Sequence, residues 1–265
     1  MRMPSIIAST VFAATVLGSS AALAGPLGIN LPNAFYFDTT TSYETLVTAQ
    51  SPTLTGVFQV NNIRNQNTSA ISYNYGDNGA YLTGYFQGFT LSGVTNGLTA
   101  TTLTFTGGQL YYYVNPSDVF TNSSGTPQGD IDAMTKGVGA QLWLQVAPEV
   151  LDANGTTLVI TLNGLNPTTT AFTSSNAFAL GDVVGGAAAP FLNSNFYSGF
   201  NGQRPDIVFS GSATLSQAGA CGIDFQVCGS NNMSAQIVPE PVTLSVFGAG
   251  LAGAVALRRR KAKKA

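Results

Sequence analysis

Threonines alternate with Leu103 and Phe105 along Thr101-Thr102-Leu103-Thr104-Phe105-Thr106, so an extended chain there has one apolar face and one hydroxylated face. A strand sends successive side chains to opposite sides, and this spacing suits a sheet with one side buried. Gly56-Val57-Phe58-Gln59-Val60 alternates in the same way. Further strand candidates span residues 70–75, 81–91, 109–114, 141–146, 157–162, 207–215 and 233–238, with Gly, Asn, Asp and Pro clusters between them. Sustained helical periodicity is missing, apart from a short helical stretch over residues 42–49. Segments 115–135 and 185–205 read as long loops, the second, rich in Gly, Ala and Asn, at the surface. Asp152-Ala153-Asn154-Gly155 predicts a chain reversal between 141–146 and 157–162, with Asn-Gly supplying positive φ. Many short strands at this spacing predict an all-β chain built on a single β-sandwich or jelly-roll-like domain.

Leu54-Thr55-Gly56-Val57-Phe58-Gln59 returns 28 residues later as Leu82-Thr83-Gly84-Tyr85-Phe86-Gln87. A solenoid needs at least about three copies. The echo therefore reads as two similar strands, placed as neighbours. Trp143, among Leu142, Leu144 and Val146, reads as core.

Only 8% of residues are charged, against about a quarter in average soluble domains. Apolar and aromatic residues are plentiful, which argues against disorder. Residues 25–237 hold three basic side chains (Arg64, Lys136 and Arg204) against eleven acidic ones, a net charge of −8. An acidic domain opposes nucleic-acid binding, which needs a basic face for phosphates. It also opposes charge-driven adhesion to anionic lipid.

Both ends have the character of processing segments. Residues 1–24 read as a signal peptide: Arg2, an apolar run over 6–17, and the A-x-A site Ala22-Leu23-Ala24, with Gly25 as the first mature residue. Residues 238–265 have three parts in order. Val238-Pro239-Glu240-Pro241 comes first, then sixteen uncharged residues over 242–257, then a basic tail over 258–265 that opens with Arg258, Arg259, Arg260 and Lys261. As a helix at about 1.5 Å per residue, 242–257 reaches roughly 24 Å, and snorkelling basic side chains and local thinning make up the difference to a hydrocarbon core of about 30 Å. The basic cluster stays inside the cell and the domain outside. Each proline drives the residue before it, Val238 or Glu240, toward extended geometry and donates no backbone hydrogen bond. The neck is thus an exposed, extended protease target. Gly248-Ala249-Gly250-Leu251-Ala252-Gly253 matches the dinucleotide fingerprint only formally, because no acidic residue follows it.

The Pro-Glu-Pro neck, the Gly/Ala/Leu-rich helix and the terminal arginines together resemble the PEP-CTERM sorting signal of Gram-negative bacteria. The stretches 81–93 and 109–114 are similar to flocculation-associated members of that group. The resemblance implies recognition by an exosortase, an integral-membrane protease, with cutting near Pro239–Pro241 after a transient stay in the inner membrane. It implies release to the cell surface or extracellular matrix and a role in exopolysaccharide-associated aggregation, flocculation or biofilm.

Cys221 and Cys228 are the only cysteines, and histidine is absent. In an exported chain the expected outcome is a structural disulfide. A redox or metal pair is the alternative, disfavoured by the absence of histidine and of a second cysteine pair. Without histidine, Ser-His-Asp and Cys-His catalysis are excluded. Two acidic pairs, Asp130 with Asp132 and Glu149 with Asp152, fit a glycosidase-type carboxylate arrangement formally. No catalytic residue is assigned. Asp130 and Asp132, after a turn-rich segment, are candidate Ca²⁺ ligands, since carboxylates and loop carbonyls suit a hard cation; no other metal or cofactor is expected. In Tyr111-Tyr112-Tyr113, Tyr112 must face away from its neighbours, and an outward tyrosine could stack on a sugar. Three functions stand: a structural or adhesive matrix protein acting through exopolysaccharide or self-association, a carbohydrate-binding module with a calcium or aromatic site, and a secreted polysaccharide-active enzyme.

Overall fold

The computed structural model describes residues 26–45, 51–120, 126–164, 172–215 and 225–237. Eleven strands lie among them: β1 (Ala34–Glu44), β2 (Thr53–Gln59), β3 (Asn62–Asn65), β4 (Ile71–Asn74), β5 (Tyr81–Asn96), β6 (Ala100–Asn115), β7 (Gln141–Pro148), β8 (Leu158–Asn163), β9 (Ser174–Gly185), β10 (Ile207–Leu215) and β11 (Val227–Gln236). Two helices, α1 (Pro127–Thr135) and α2 (Ala189–Leu192), complete the regular structure with three single-turn 3₁₀ segments.

All pairings are antiparallel, and the all-β expectation holds. The sandwich expectation does not: the sheet closes into a barrel of eight strand positions. The path runs β1-β2-β5-β6-β7-β9-β10-β11, and β11 pairs back onto β1 from Ala34↔Gln236 to Glu44↔Val227. Closure removes the free edges along these eight positions, while β4 pairs only with β3 at the side of the barrel. Alternation specifies which side chains face inward but not which strand lies beside which. A closing pair some 190 residues apart therefore leaves no local trace.

Two positions in the barrel are shared by a pair of strands. β2 covers one half of β1 and β3 the other. Along the 16-residue β6, β7 pairs with Leu110–Val114 and β8 with Ala100–Phe105. β7 and β8 are both antiparallel to β6, so they run in the same direction. The turn at Asp152–Gly155 thus re-enters the same position rather than forming the hairpin reversal read from the sequence. Gly155 does take positive φ (77°) there. The long β6 also merges the two expected strands 101–106 and 109–114 across Gly107 and Gly108, both at positive φ.

Other expectations change. Ser42–Glu44 belong to β1, not to a helix, and residues 46–50 lie outside the described residues. The loop expected over 115–135 contains α1, with Thr126 as N-cap (its Oγ1 accepts from Gly129 N at 3.0 Å) and Pro127 in the first turn. The loop expected over 185–205 contains α2. No helix among the described residues is long and apolar enough to cross a membrane. Residues 1–24, the expected span 242–257, the neck and the basic tail all lie outside the described residues.

The barrel interior is the main core. Phe35, Phe37, Phe58, Leu82, Phe86, Phe105, Tyr112, Trp143 and Val146 meet there. Trp143 is fully buried, as read from the sequence, with its ring 5.7 Å from Phe37. One end is plugged by Ile29 and Leu31 ahead of β1 and by Ala188 and Leu192 after β9, all at most 1% exposed. A second, outer cluster forms where α1 lays Ile131 and Met134 over Val57 and Tyr85.

The echoed segments are neighbours, as expected, and pack reciprocally. β2 and β5 pair with Gly56 opposite Phe86 and Phe58 opposite Gly84. Each phenyl ring occupies the space left by the other strand's glycine.

Candidate functional site

A bulge in β1 determines what the end of the barrel opposite the Ile29–Leu192 plug contains. Phe35, Phe37 and Thr39 face inward, and the register against β11 then slips between Thr39 and Ser42. One extra residue reverses the facing. Ser42 and Glu44 turn inward, while Tyr43 joins the outer cluster against Phe120 and Phe225. Strict alternation carried on from Phe35 would have put Glu44 in solvent, which is why sequence reasoning did not single it out.

The cavity around Glu44 exists because one wall is made of small residues. Ala177 and Ala179 on β9, Gly211 and Ala213 on β10 and Gly229 on β11 face Phe58, Phe86, Phe89 and Phe105. The outer chamber, about 200 Å³, is bounded by Leu103, Leu162, Phe172, Val227 and their neighbours, and a deeper one of about 70 Å³ runs toward Tyr112 and Met233. Glu44, Leu54, Ile160, Ala177, Gly211 and Asn231 line both.

Glu44 Oε1 accepts from Ser42 Oγ at 3.2 Å, and Ser42 Oγ in turn accepts from Asn231 Nδ2 at 2.9 Å. Burial pushes the Glu44 carboxyl up to about 7, against the opposing effect of hydrogen bonds from Ser42 and Asn231. Added side chains at the neighbouring glycines would crowd this network. A Cβ at Gly229 would stand 3.2 Å from Glu44 Oε1, and one at Gly211 2.4 Å from Asn231 Oδ1.

A second concavity lies on the outside. Thr53, Thr55, Gln87, Gly88, Gly108 and Gln109 line an open groove of about 490 Å³. Gly88 and Gly108 oppose each other there at positive φ, and the bare Gly108 leaves room for the core ring of Phe89. Gln87 and Gln109 are cross-strand partners. Gln109 Oε1 accepts from the Tyr111 hydroxyl and, at 3.3 Å, from Gln145 Nε2. Tyr111 stacks on Tyr85 with ring centroids 4.8 Å apart, and Tyr113 stacks on Tyr85 at 6.3 Å. The expected alternation is present: Tyr112 is buried inside, while Tyr111 and Tyr113 lie half-exposed outside.

The acidic residues singled out from the sequence separate. On α1, Asp130 is fully buried, whereas Asp132 is exposed, accepts from Gln128 Nε2 at 2.8 Å and pairs with Lys136 Nζ at 2.6 Å. Residues two apart on a helix do not share a face, so the two carboxyls do not converge on one ion. No group of three or more potential metal ligands is placed to hold a cation among the described residues. Asp152 is held within its own turn, accepting from Asn154 N, Thr156 N and Thr156 Oγ1, and the Thr156 amide leads in holding its carboxyl below the usual range. Glu149 pairs instead with Asp182, a partner on a different strand that spacing could not reveal. Burial, then the hydrogen bond and charge of Glu149, push the Asp182 carboxyl up to about 6.

Cys228 on β11 is disulfide-bonded. Cys221, the processing residues Ala22, Ala24 and Gly25, the neck Val238, Pro239, Glu240 and Pro241, and the tail residues Arg258, Arg259, Arg260 and Lys261 lie outside the described residues. Comparison with protein-family models, curated proteins and solved structures finds no match.

Proposed function

We propose that this chain is an exported surface or matrix protein of a Gram-negative bacterium, cut by signal peptidase at one end and by an exosortase at the other. Its barrel acts by binding rather than catalysis, in exopolysaccharide-associated aggregation such as flocculation or biofilm. The sequence at the two ends supports the export half. The fold is compatible with it: Ile237 N donates to Asn33 O at 2.8 Å just beyond β11, so a cut at 239–241 would leave every described strand intact.

The observation that carries the binding half is the outer groove. Two glutamines and two threonines line an open, uncharged depression, and the Tyr111 hydroxyl donates to one of those glutamines, Gln109. Amides and hydroxyls match the hydrogen-bonding groups of a sugar. An open groove on the wall of a barrel can accept an internal stretch of a long polymer, whereas an enclosed pocket cannot.

Intact-mass analysis of the protein from the extracellular fraction tests the processing. The expected species starts at Gly25 and ends within 239–241. Recovery with Arg258–Lys261 still attached would overturn the exosortase reading. Retention of the same material on the producer's own exopolysaccharide, with and without a chelator, tests the binding; the groove requires no metal, so retention should survive chelation.

A further inference from the structure

The geometry points to a second ligand site, inside the barrel: the cavity beside Glu44 takes a small apolar molecule with a protonated amine head, its body among Leu54, Ile160 and Phe58 and its ammonium on the Glu44 carboxylate. The site is independent of the outer groove and of how the chain is exported.

The first argument is charge. Among the described residues, Glu44 is the sole ionisable one lining either chamber, apart from the phenol of Tyr112 deep inside. The groups facing it from the adjoining strands do not titrate: Leu54 and Gly56 on β2, Gly211 and Ala213 on β10, and Val227, Gly229 and Asn231 on β11. The three cations among the described residues line neither chamber. Arg64 sits 3.6 Å from Asp38, Lys136 pairs with Asp132 on the outside, and Arg204 lies in the segment between α2 and β10. A carboxyl enclosed without a cation is costly, and the cost falls when a ligand brings one. Ser42 hydrogen-bonds the carboxyl, and Asn231 in turn donates to Ser42 Oγ, so the carboxyl is positioned without being neutralised.

The second argument is shape. A mainly apolar cavity whose described lining carries one carboxyl orients an amphiphile with a cationic head. A cavity of about 150 Å³ accommodates benzene; the two chambers here therefore suit a body of roughly ten non-hydrogen atoms. Straight-chain octylamine has that size and is a protonated cation near neutral pH.

Titration calorimetry of the full chain with octylamine, and with octanol as its uncharged counterpart, tests the site. Octylamine should bind the unaltered protein, tightening as pH rises from 6 to 8, while octanol binding stays flat across that range. Glu44→Gln should weaken octylamine at least tenfold and leave octanol within twofold. Ala177→Phe, which fills the shared waist of the cavity, should abolish both. Octylamine binding that is absent in the unaltered protein, or indifferent to pH and to Ala177→Phe, overturns the proposal. Should Glu44→Gln fail to fold, the pH dependence in the unaltered chain and the filled variant still decide it.

Discussion

Phe86 lies across the bare Cα of Gly56, so close that a Cβ on Gly56 would come within 2.3 Å of the ring's Cζ and 2.8 Å of the Tyr43 carbonyl oxygen. The same relation holds in reverse between Phe58 and Gly84, again at 2.3 Å, and the two rings stack 6.4 Å apart. Gly56→Ala should therefore overpack the interior and destabilise by about 1–3 kcal/mol. Trimming the partner should relieve the clash, so Gly56→Ala with Phe86→Leu should cost less than the sum of the single changes. Denaturant titration of the four proteins measures the coupling. Strict additivity would contradict the packing described.

This pair also shows what could be read from the chain and what could not. The echo, the inward phenylalanines and the buried Trp143 follow from alternation, which is a local property. β1 was hidden because Asp38-Thr39-Thr40-Thr41-Ser42 is a polar run with no apolar period, and its strand is held by pairing on both sides. β9 was hidden for a related reason: its inward residues from Ser175 through Ala177 and Ala179 to Gly181 are too small to mark a core face, and only Val183 at its end is a larger core residue. Those small residues make the cavity, and the bulge at Thr39–Ser42 puts Glu44 into it. The inner site thus arises where the local rule breaks. The outer groove was not visible, because Gln87 and Gln109 meet only once β5 is paired with β6.

Asp206 is 1% exposed, and its carboxylate accepts from Val183 N at 2.9 Å and from Asn195 N at 2.5 Å. It ties the segment after α2 to the end of β9. Asp206→Ala leaves both amides without their acceptor, and each lost partner costs about 1–3 kcal/mol. The expected loss is about 2–4 kcal/mol, with Asp206→Asn milder because one acceptor oxygen remains. Thermal unfolding should show a fall in Tm of several degrees for the alanine variant. An unchanged Tm would refute this role.

The raised Glu44 carboxyl makes a signed prediction. Its pKa stands at about 7 in the folded chain against 4.5 as the ordinary value. Between those values the folded state binds more protons than the unfolded state, so stability falls as pH rises through that window and levels off above it. Allowing for the residue's partial contact with solvent, the fall is about 2 kcal/mol. Asp182, pushed up to about 6, contributes with the same sign at the lower end. It is present in both proteins, so comparison with Glu44→Gln isolates Glu44. The variant should match or fall slightly below the unaltered protein at pH 4.5 and exceed it at pH 8. Parallel pH–stability curves would show that Glu44 is not enclosed as described.

The groove on the outer wall predicts a separation of binding from stability. Gln87 is exposed, and Gln109 lies half-buried on the same face, so neither supports the core. Gln87→Ala with Gln109→Ala should change folding stability by only about 1 kcal/mol, as surface substitutions do. A hydrogen bond to a neutral partner contributes about 1 kcal/mol each. Losing both amides should therefore weaken retention on exopolysaccharide by roughly tenfold to thirtyfold. Tyr111→Phe removes the hydroxyl that donates to Gln109 but keeps the ring stacked on Tyr85. It should weaken binding less than the double glutamine variant. Glu44→Gln, acting inside the barrel, should leave polysaccharide retention unchanged, because the wall of inward side chains on β2 and β5 separates the two sites. Equal losses from the inner and outer substitutions would mean that binding reports general integrity of the barrel rather than contact at the groove.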